Sequence, residues 1–264
     1  MIVLKSKREI AEMREAGRIV ARVHETLREM IRPGVTTAEL NIRAEEIVRA
    51  HGAIPAFLGY PHTGRNDFPA SICASINEEL VHGIPSPQRW LEPGDIISID
   101  VGAIYRGWVG DSAWTYPVES IDEEARGLLE TTAGSLWAGI AQARAGNYVS
   151  DISRAIEAYV SDRGLSVVRE YTGHGVGRRM HEEPQVLNFV PEGAGKAGSR
   201  AVGGGIRLKA GMTLALEPMV NVGTWRTRVL ADGWTVVTAD GKRSAHFEHS
   251  IAITDGEPEV LTLP

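Results

Sequence analysis

A chain of 264 residues with 43% hydrophobic residues can bury the core of one large domain or two small ones. Its 28 lysines and arginines stand against 34 aspartates and glutamates with no block of like charge, which excludes an electrostatic footprint for nucleic acid or anionic lipid. No apolar run reaches the ~18 residues a membrane span needs, the start MIVLKSKREIAEMREAG carries charge where a signal peptide is apolar, and a single cysteine, Cys73, excludes an internal disulfide, so a cytoplasmic protein is expected.

Ser6 and Glu9 have capping-box spacing ahead of Ile10, Met13, Ile19, Val20, Val23, Leu27 and Met30, which share one side of a long helix closed by Pro33-Gly34. Thr36 and Glu39 repeat the signal for a second helix ending near Gly52. Strand patterns follow. In GDIISIDVGAIYRGWVGDSAWTY, Ile97, Ile99 and Val101 alternate onto one face while Ser98, Asp100 and Gly102 take the other. A hairpin turn at Tyr105-Arg106 sets Asp100 directly opposite Asp111, with Cβ atoms about 5 Å apart. Asp122 with Glu123 and Glu124 opens a third helix through LLETTAGSLWAGIAQA, and Ser150 opens a fourth that stops at Gly164.

Segments 32–53 (RPGVTTAELNIRAEEIVRAHGA) and 144–165 (RAGNYVSDISRAIEAYVSDRGL) align without gaps, matching Arg32 with Arg144, Gly34 with Gly146, Leu40 with Ile152, Val48 with Val160 and Gly52 with Gly164. Two amphipathic helices with glycine stops look alike on general grounds, yet each copy is preceded by another helix and followed by strands. The expected fold is α+β, a single domain over 1–264 with related halves of roughly 6–120 and 121–264, antiparallel sheet with helices on one face, and a site where the halves meet.

Two further strand regions carry acids on small-residue faces. In GMTLALEPMV, Glu217 joins Thr213 and Ala215 opposite Met212, Leu214 and Leu216; in RSAHFEHSIAIT, Glu248 joins Ser250 and Ala252 opposite Phe247 and Ile251. A lone acid in a strand is ordinarily an edge or solvent-face residue. Four acids so placed argue for a shared site, since close carboxylates repel unless a proton or a cation lies between them. Hard oxygen ligands with one or two imidazoles suit a pair of divalent ions about 3.5 to 4 Å apart, bridged by carboxylates and a water-derived hydroxide. His174 in GHGVG is the expected nitrogen ligand, its glycines letting the backbone come close. HEEPQ lacks the second histidine of an HExxH zinc helix, and Pro184 breaks such a helix. GHGVG is not GxGxxG, no GxSxG is present, and Cys73 reads as a small buried apolar residue.

The blocks SICASINEELVHGIP, GDIISIDVG, GDSA, REYTGHGVGRRMHEEPQV, LEPMV, DGWTV and FEHSIAIT, in that order and spacing, resemble the type I methionine aminopeptidases over nearly the whole chain from about Ser6. The resemblance implies the pita-bread fold, two pseudo-symmetric halves with a curved antiparallel sheet and helices on its outer face. It implies five metal ligands, Asp100, Asp111, His174, Glu217 and Glu248, holding two divalent ions (cobalt, manganese, iron or zinc), with His82 of VHGIP and His181 as the further active-site histidines. The implied reaction is removal of the initiator methionine from nascent polypeptides when the second residue is small, a bridging metal-bound hydroxide attacking the scissile carbonyl. In that scheme His181 donates to the carbonyl oxygen, His82 holds the scissile amide or assists the departing nitrogen, Glu217 doubles as proton acceptor, and the free amino end reaches the second metal. A methionine side-chain pocket is implied around Tyr60, Phe68, Cys73, Met180 and Trp234, soft or aromatic residues suited to a thioether that without the likeness read as ordinary core.

Two stretches depart from the family pattern. GYPHTGRNDFP is longer than the short bacterial form, and the glycine-rich VPEGAGKAGSRAVGGGIRLKAG, residues 190–211, reads as a flap or a tolerated insertion. Prolidases and aminopeptidases P share the fold and ligands but usually carry an extra N-terminal domain, and type II enzymes carry a helical insert. Binding proteins that kept the fold have lost metal ligands, whereas all five types stand here. The resemblance implies a monomer, and with no zinc-finger or proline-rich extension any ribosome encounter uses the catalytic domain's own surface.

Overall fold

A computed structural model describes residues 2–62, 64, 66–191 and 205–264; most of the glycine-rich stretch 190–211 lies outside the described residues. Helix α1 (Lys7–Met30) starts where the Ser6 hydroxyl accepts the Glu9 N–H and the Glu9 carboxylate accepts the Ser6 N–H. Thr36 and Glu39 do the same for α2 (Thr37–Ala50), and the Asp122 carboxylate accepts from Ala125 N–H at the start of α3 (Glu123–Gln142). Each exchange satisfies donors that the first helical turn leaves without a carbonyl. Helix α4 (Val149–Ser161) corrects the sequence expectation. Its cap is Tyr148, not Ser150, because the Asp151 carboxylate reaches back to the Tyr148 N–H at 2.8 Å and draws Ser150 into the first turn.

The strands Ile96–Tyr105 and Trp108–Pro117 form a long hairpin whose register also differs from the expected one. Asp100 pairs with Ala113, and Asp111 with Gly102, because the turn is Arg106-Gly107. Both turn residues have positive φ, +50° and +75°, the combination that matches the twist of a two-residue hairpin and that glycine readily supplies. The error is two residues, an even number, so Asp100 and Asp111 remain on one face as diagonal neighbours. Strand Ile72–Ile76 flanks this hairpin, setting Cys73 beside Asp100. A second sheet runs in the order Glu259–Val260, His249–Ala252, Thr213–Leu216, Gly173–Gly175 and Glu182–Val186. Two three-stranded groups complete the scaffold, one around Met219–Asn221 and one around Val236–Thr238. All the pairings are antiparallel, as expected for the α+β reading.

The helices take the apolar faces. Ile97, Ile99 and Val101 are fully buried against residues of α1 and α2 such as Val20, Leu27 and Leu40. Leu214, Leu216 and Ile251 are likewise buried against Leu136, Ile152 and Ile156 of α3 and α4. Burying one such side chain is worth about 1.5 to 3 kcal/mol, which leaves the opposite, small-residue faces as the ones free to carry charge. Segments 32–53 and 144–165 share backbone detail beyond their helices. Gly34 and Gly146 have φ of +84° and +101°, and their N–H groups donate to Leu91 and Leu208; Thr36 bridges Trp90 as Tyr148 bridges Arg207. Among the described residues no helix is long and apolar enough to cross a membrane.

Candidate active site

The polar faces meet along a seam of hydroxyls. Ser250 Oγ accepts the Asp111 N–H at 3.1 Å and donates to the Asp111 carbonyl at 2.8 Å, and Ser112 Oγ donates to the Glu248 carbonyl at 2.7 Å. The Glu248 N–H donates to the Ala113 carbonyl at 2.8 Å. Residues some 136 to 139 apart in sequence are thereby locked together, and Asp111 and Glu248 arrive side by side. His174 comes from the short strand Gly173–Gly175, packed so closely that a Cβ at Gly173 would lie 2.5 Å from the Ala215 carbonyl oxygen and one at Gly175 2.3 Å from that of Glu183. Glu217 follows strand Thr213–Leu216, with its carbonyl accepting from Asn188 Nδ2 at 3.0 Å.

Asp100, Asp111, His174, Glu217 and Glu248 all line one cavity of about 190 Å³. Asp111, His174 and Glu248 each offer a ligand atom within 4.8 Å of the others. His174 Nε2 lies 3.3 Å from Glu217 Oε1 and 3.8 Å from Asp111 Oδ2. Its Nδ1 sits 3.0 Å from the Gly175 carbonyl, which can only accept, so the proton is on Nδ1 and Nε2 presents a lone pair to those oxygens. Burial holds the imidazole down to about 3, so no imidazolium is there to neutralise them.

The acids are in the complementary difficulty. Burial, then the neighbouring acids, push Asp100, Glu217 and Glu248 well above the ordinary carboxylate range, and burial raises Asp111 as well. Asp100 Oδ1, Asp111 Oδ1 and Glu248 Oε1 are buried without a hydrogen-bond partner, and among the described residues lining the cavity there is no lysine or arginine. A lone pair facing carboxylates, with orphaned oxygens beside them, is the donor set a divalent cation satisfies, so these residues fit the metal that their chemistry implies.

The remaining sequence-predicted residues divide. His181 Nδ1 is 2.6 Å from the Tyr60 hydroxyl, and its ring stands against that of His174 at 4.4 Å. His82 reaches the cavity from a backbone with φ +60°, a conformation costing a non-glycine residue roughly 1 to 2 kcal/mol, and its ring meets those of Tyr171 and Trp234. Trp234 packs on Phe68 at 5.2 Å and donates its Nε1–H to the Asn66 carbonyl at 2.9 Å. Tyr60, Phe68, Cys73 and Trp234 line the cavity; the Cys73 thiol is pushed up by burial, which keeps it neutral. Met180 does not line it. It is buried with Trp108 and Val176 in the cluster that backs Tyr60 and Phe57, with its Cε turned toward Gly102.

Sequence reasoning missed Phe57, Tyr171 and His246, which also line the cavity. Tyr171 and Phe57 lie in connecting segments that carry no period. His246 was within reach: it stands two residues before Glu248, so the alternation that marks the acid marks the imidazole too.

Comparison with known proteins accords with this geometry. Residues 11–255 match the model of metallopeptidase family M24. The chain is 52% identical over 262 residues to methionine aminopeptidase 1 of Bacillus subtilis (strain 168), covering 99% of both chains, and 44% identical to methionine aminopeptidase 1 of Mycobacterium tuberculosis, covering 98% of this chain and 94% of that one. It superposes on the crystal structure of methionine aminopeptidase from Thermotoga maritima with a TM-score of 0.92 at 42% identity, each chain fully covered. A prolidase from Pyrococcus furiosus, 20% identical with a TM-score of 0.77 over 99% of this chain and 66% of its own, shares the fold. This chain belongs to metallopeptidase family M24 and, within it, to the type I methionine aminopeptidases.

Proposed function

We propose that this protein removes the N-terminal methionine from nascent polypeptides by metal-dependent hydrolysis, favouring chains whose second residue is small. The observation that carries this reading is the lone pair of His174 Nε2 set against the carboxylates of Glu217 and Asp111, with Asp100 and Glu248 in the same cavity, whose other side is aromatic and soft. Asp100, Asp111, His174, Glu217 and Glu248 hold two divalent ions, with cobalt, manganese, iron and zinc as the candidates. Such ions supply a water of lowered pKa and polarise a bound carbonyl.

The chain's own side chains do the rest. The Tyr60 hydroxyl lies 2.6 Å from His181 Nδ1; in the tautomer this role requires, the hydroxyl donates to Nδ1 and the imidazole proton is on Nε2, where it donates to the carbonyl oxygen as negative charge develops. His82 hydrogen bonds the scissile amide and attends the departing nitrogen. Glu217 takes up a proton from the attacking water. Tyr60, Phe68, Cys73 and Trp234 receive the methionine side chain, with Met180 supporting that wall from behind.

The domain is one catalytic unit of two related halves, roughly 6–120 and 121–264. The matched backbone bonds of Gly34 and Gly146 and the seam between Asp111 and Ser250 support that division. The protein works in the cytoplasm as a monomer and meets the ribosome through the catalytic domain's own surface; sedimentation with and without ribosomes tests both points.

The decisive experiment is methionine release from Met-Ala-Ser by metal-stripped protein resupplied with manganese or cobalt, beside Met-Leu-Ser and an Ala-Pro peptide. Selective, metal-dependent cleavage of Met-Ala-Ser is expected. Cleavage of the proline peptide alone moves the protein to the proline-specific branch of its fold, and no cleavage with any metal makes it a binding protein.

A further inference from the structure

His246 lies on the wall of the cavity and has no role in the mechanism above. Its backbone is pinned: its N–H donates to Thr115 Oγ1 at 2.9 Å, and its carbonyl accepts from the same hydroxyl at 2.8 Å. The side chain, 2% exposed as a residue, points its Nε2 at Glu217 Oε2 from 3.7 Å, and that nitrogen has no hydrogen-bond partner. The separation is too long for a hydrogen bond. It is also too short for a bridging water, since two bonds of about 2.8 Å at a tetrahedral angle span about 4.5 Å.

Glu217 is therefore flanked by two imidazoles of opposite character. Oε1 faces His174 Nε2, a lone pair, because His174 Nδ1 carries the proton. Oε2 faces His246 Nε2, and the carboxylate, an acceptor only, favours the tautomer with the proton on that nitrogen. We propose that His246 positions Glu217: its Nε2–H donates to Glu217 Oε2 and keeps Oε1 turned toward His174, where the pair would serve as ligands to a divalent ion. A small rotation of either side chain closes the bond. This inference rests on the metallopeptidase reading above and adds to it a residue that holds a ligand rather than binding the metal itself. Such supporting hydrogen bonds fix the orientation and basicity of a ligand carboxylate.

The test is manganese binding to metal-stripped protein by titration calorimetry, for wild type, His246→Gln, His246→Ala and His246→Leu, with melting temperatures of the stripped proteins and the visible spectra of their cobalt forms. Losing the donor is expected to weaken manganese binding roughly 10- to 100-fold in His246→Ala and His246→Leu, with kcat falling and KM for Met-Ala-Ser little changed. His246→Gln, which presents an amide N–H at similar reach, is expected to recover most of the affinity and to keep the wild-type cobalt spectrum. Wild-type affinity in His246→Leu would overturn the inference, because volume alone would then suffice. So would affinity in His246→Gln as weak as in His246→Ala, or a cobalt spectrum altered by His246→Gln, which would make His246 a metal ligand. If His246→Leu does not fold, His246→Ala against His246→Gln carries the same decision. A wild type that binds no divalent ion would instead sink the metallopeptidase reading, and the role of His246 with it.

Discussion

Asp100 and Asp111 stand on two strands whose ladder runs unbroken from Ile96 and Pro117 to Tyr105 and Trp108, whereas Tyr60, Phe68 and Trp234 stand on connecting segments and are held largely by one another. The two sides of the cavity face different physical demands. Buried like charges are pushed apart by their own repulsion and by the loss of water, so the acids need a backbone that cannot yield. Rings attract through non-directional apolar contact and tolerate a looser mounting. The acid wall should thus respond to substitution through metal binding, and the ring wall through substrate binding.

The largest expected effect is on the acid wall. Asp111→Asn should cut methionine release by roughly 1,000-fold, because on the proposed function it replaces an anionic ligand with an amide at the point where the seam joins the two sheets. The same variant should melt no lower, and at pH 8 higher, than metal-stripped wild type, since it removes one of four mutually repelling buried acids; calorimetry in chelator checks this. On the other side, Tyr60→Phe should lower kcat about five- to tenfold, the worth of one hydrogen bond, while leaving manganese affinity unchanged. A fall in metal affinity there would erase the distinction between the two walls. Trp234→Ala should raise KM for Met-Ala-Ser about tenfold with less effect on kcat, by removing the ring that packs on Phe68 and His82.

The acids also give the stripped protein an unusual pH dependence. Their folded-state pKa values are raised, so between the ordinary carboxylate range and those raised values the folded protein binds more protons than the unfolded chain, and stability falls as pH rises. His24, His82, His174, His246 and His249 are lowered by burial to about 3 or 4, which costs stability only as pH falls below their ordinary 6.5. Above that pH the carboxyls act alone. Metal-stripped protein should therefore melt lower at pH 8 than at pH 6.5, and excess manganese should reverse the order, because ligation needs the deprotonated acids. Smallest of all, Thr36→Ala removes the cap of α2, far from both walls, and should cost about 1 kcal/mol of stability without altering kcat.

How much of this could be read beforehand differs residue by residue. The common face of Asp100 and Asp111 survived a mistaken hairpin turn because side chains alternate with period two and the register error was even. The turn was misplaced because nothing in Arg106 announces a positive φ, although Gly107 beside it does. The start of α4 was misplaced because Tyr148 is no capping residue by type; only the reach of Asp151 makes it the cap. Met180 was expected on the cavity wall from the family resemblance alone, and its residue type, which by itself reads as core, agrees with where it lies, packed with Trp108 and Val176 from other elements.

By itself the sequence determined where three of the four helices begin and that Asp100 and Asp111 share one strand face, whereas Glu217 and Glu248, read as strand residues, stand just past Leu216 and just before His249 in the breaks between short strands. It also marked the glycines around His174, because capping, alternation and backbone clearance are decided within a few residues. Only the tertiary structure decided that Glu248 lies beside Asp111, that His246 faces Glu217 and that Phe57 and Tyr171 complete the cavity. The first rests on hydroxyl bonds between residues more than a hundred positions apart, the second on the pairing of strands Met219–Asn221 and Ser244–His246, and the third on rings from separate connecting segments; no local pattern encodes contacts of these kinds.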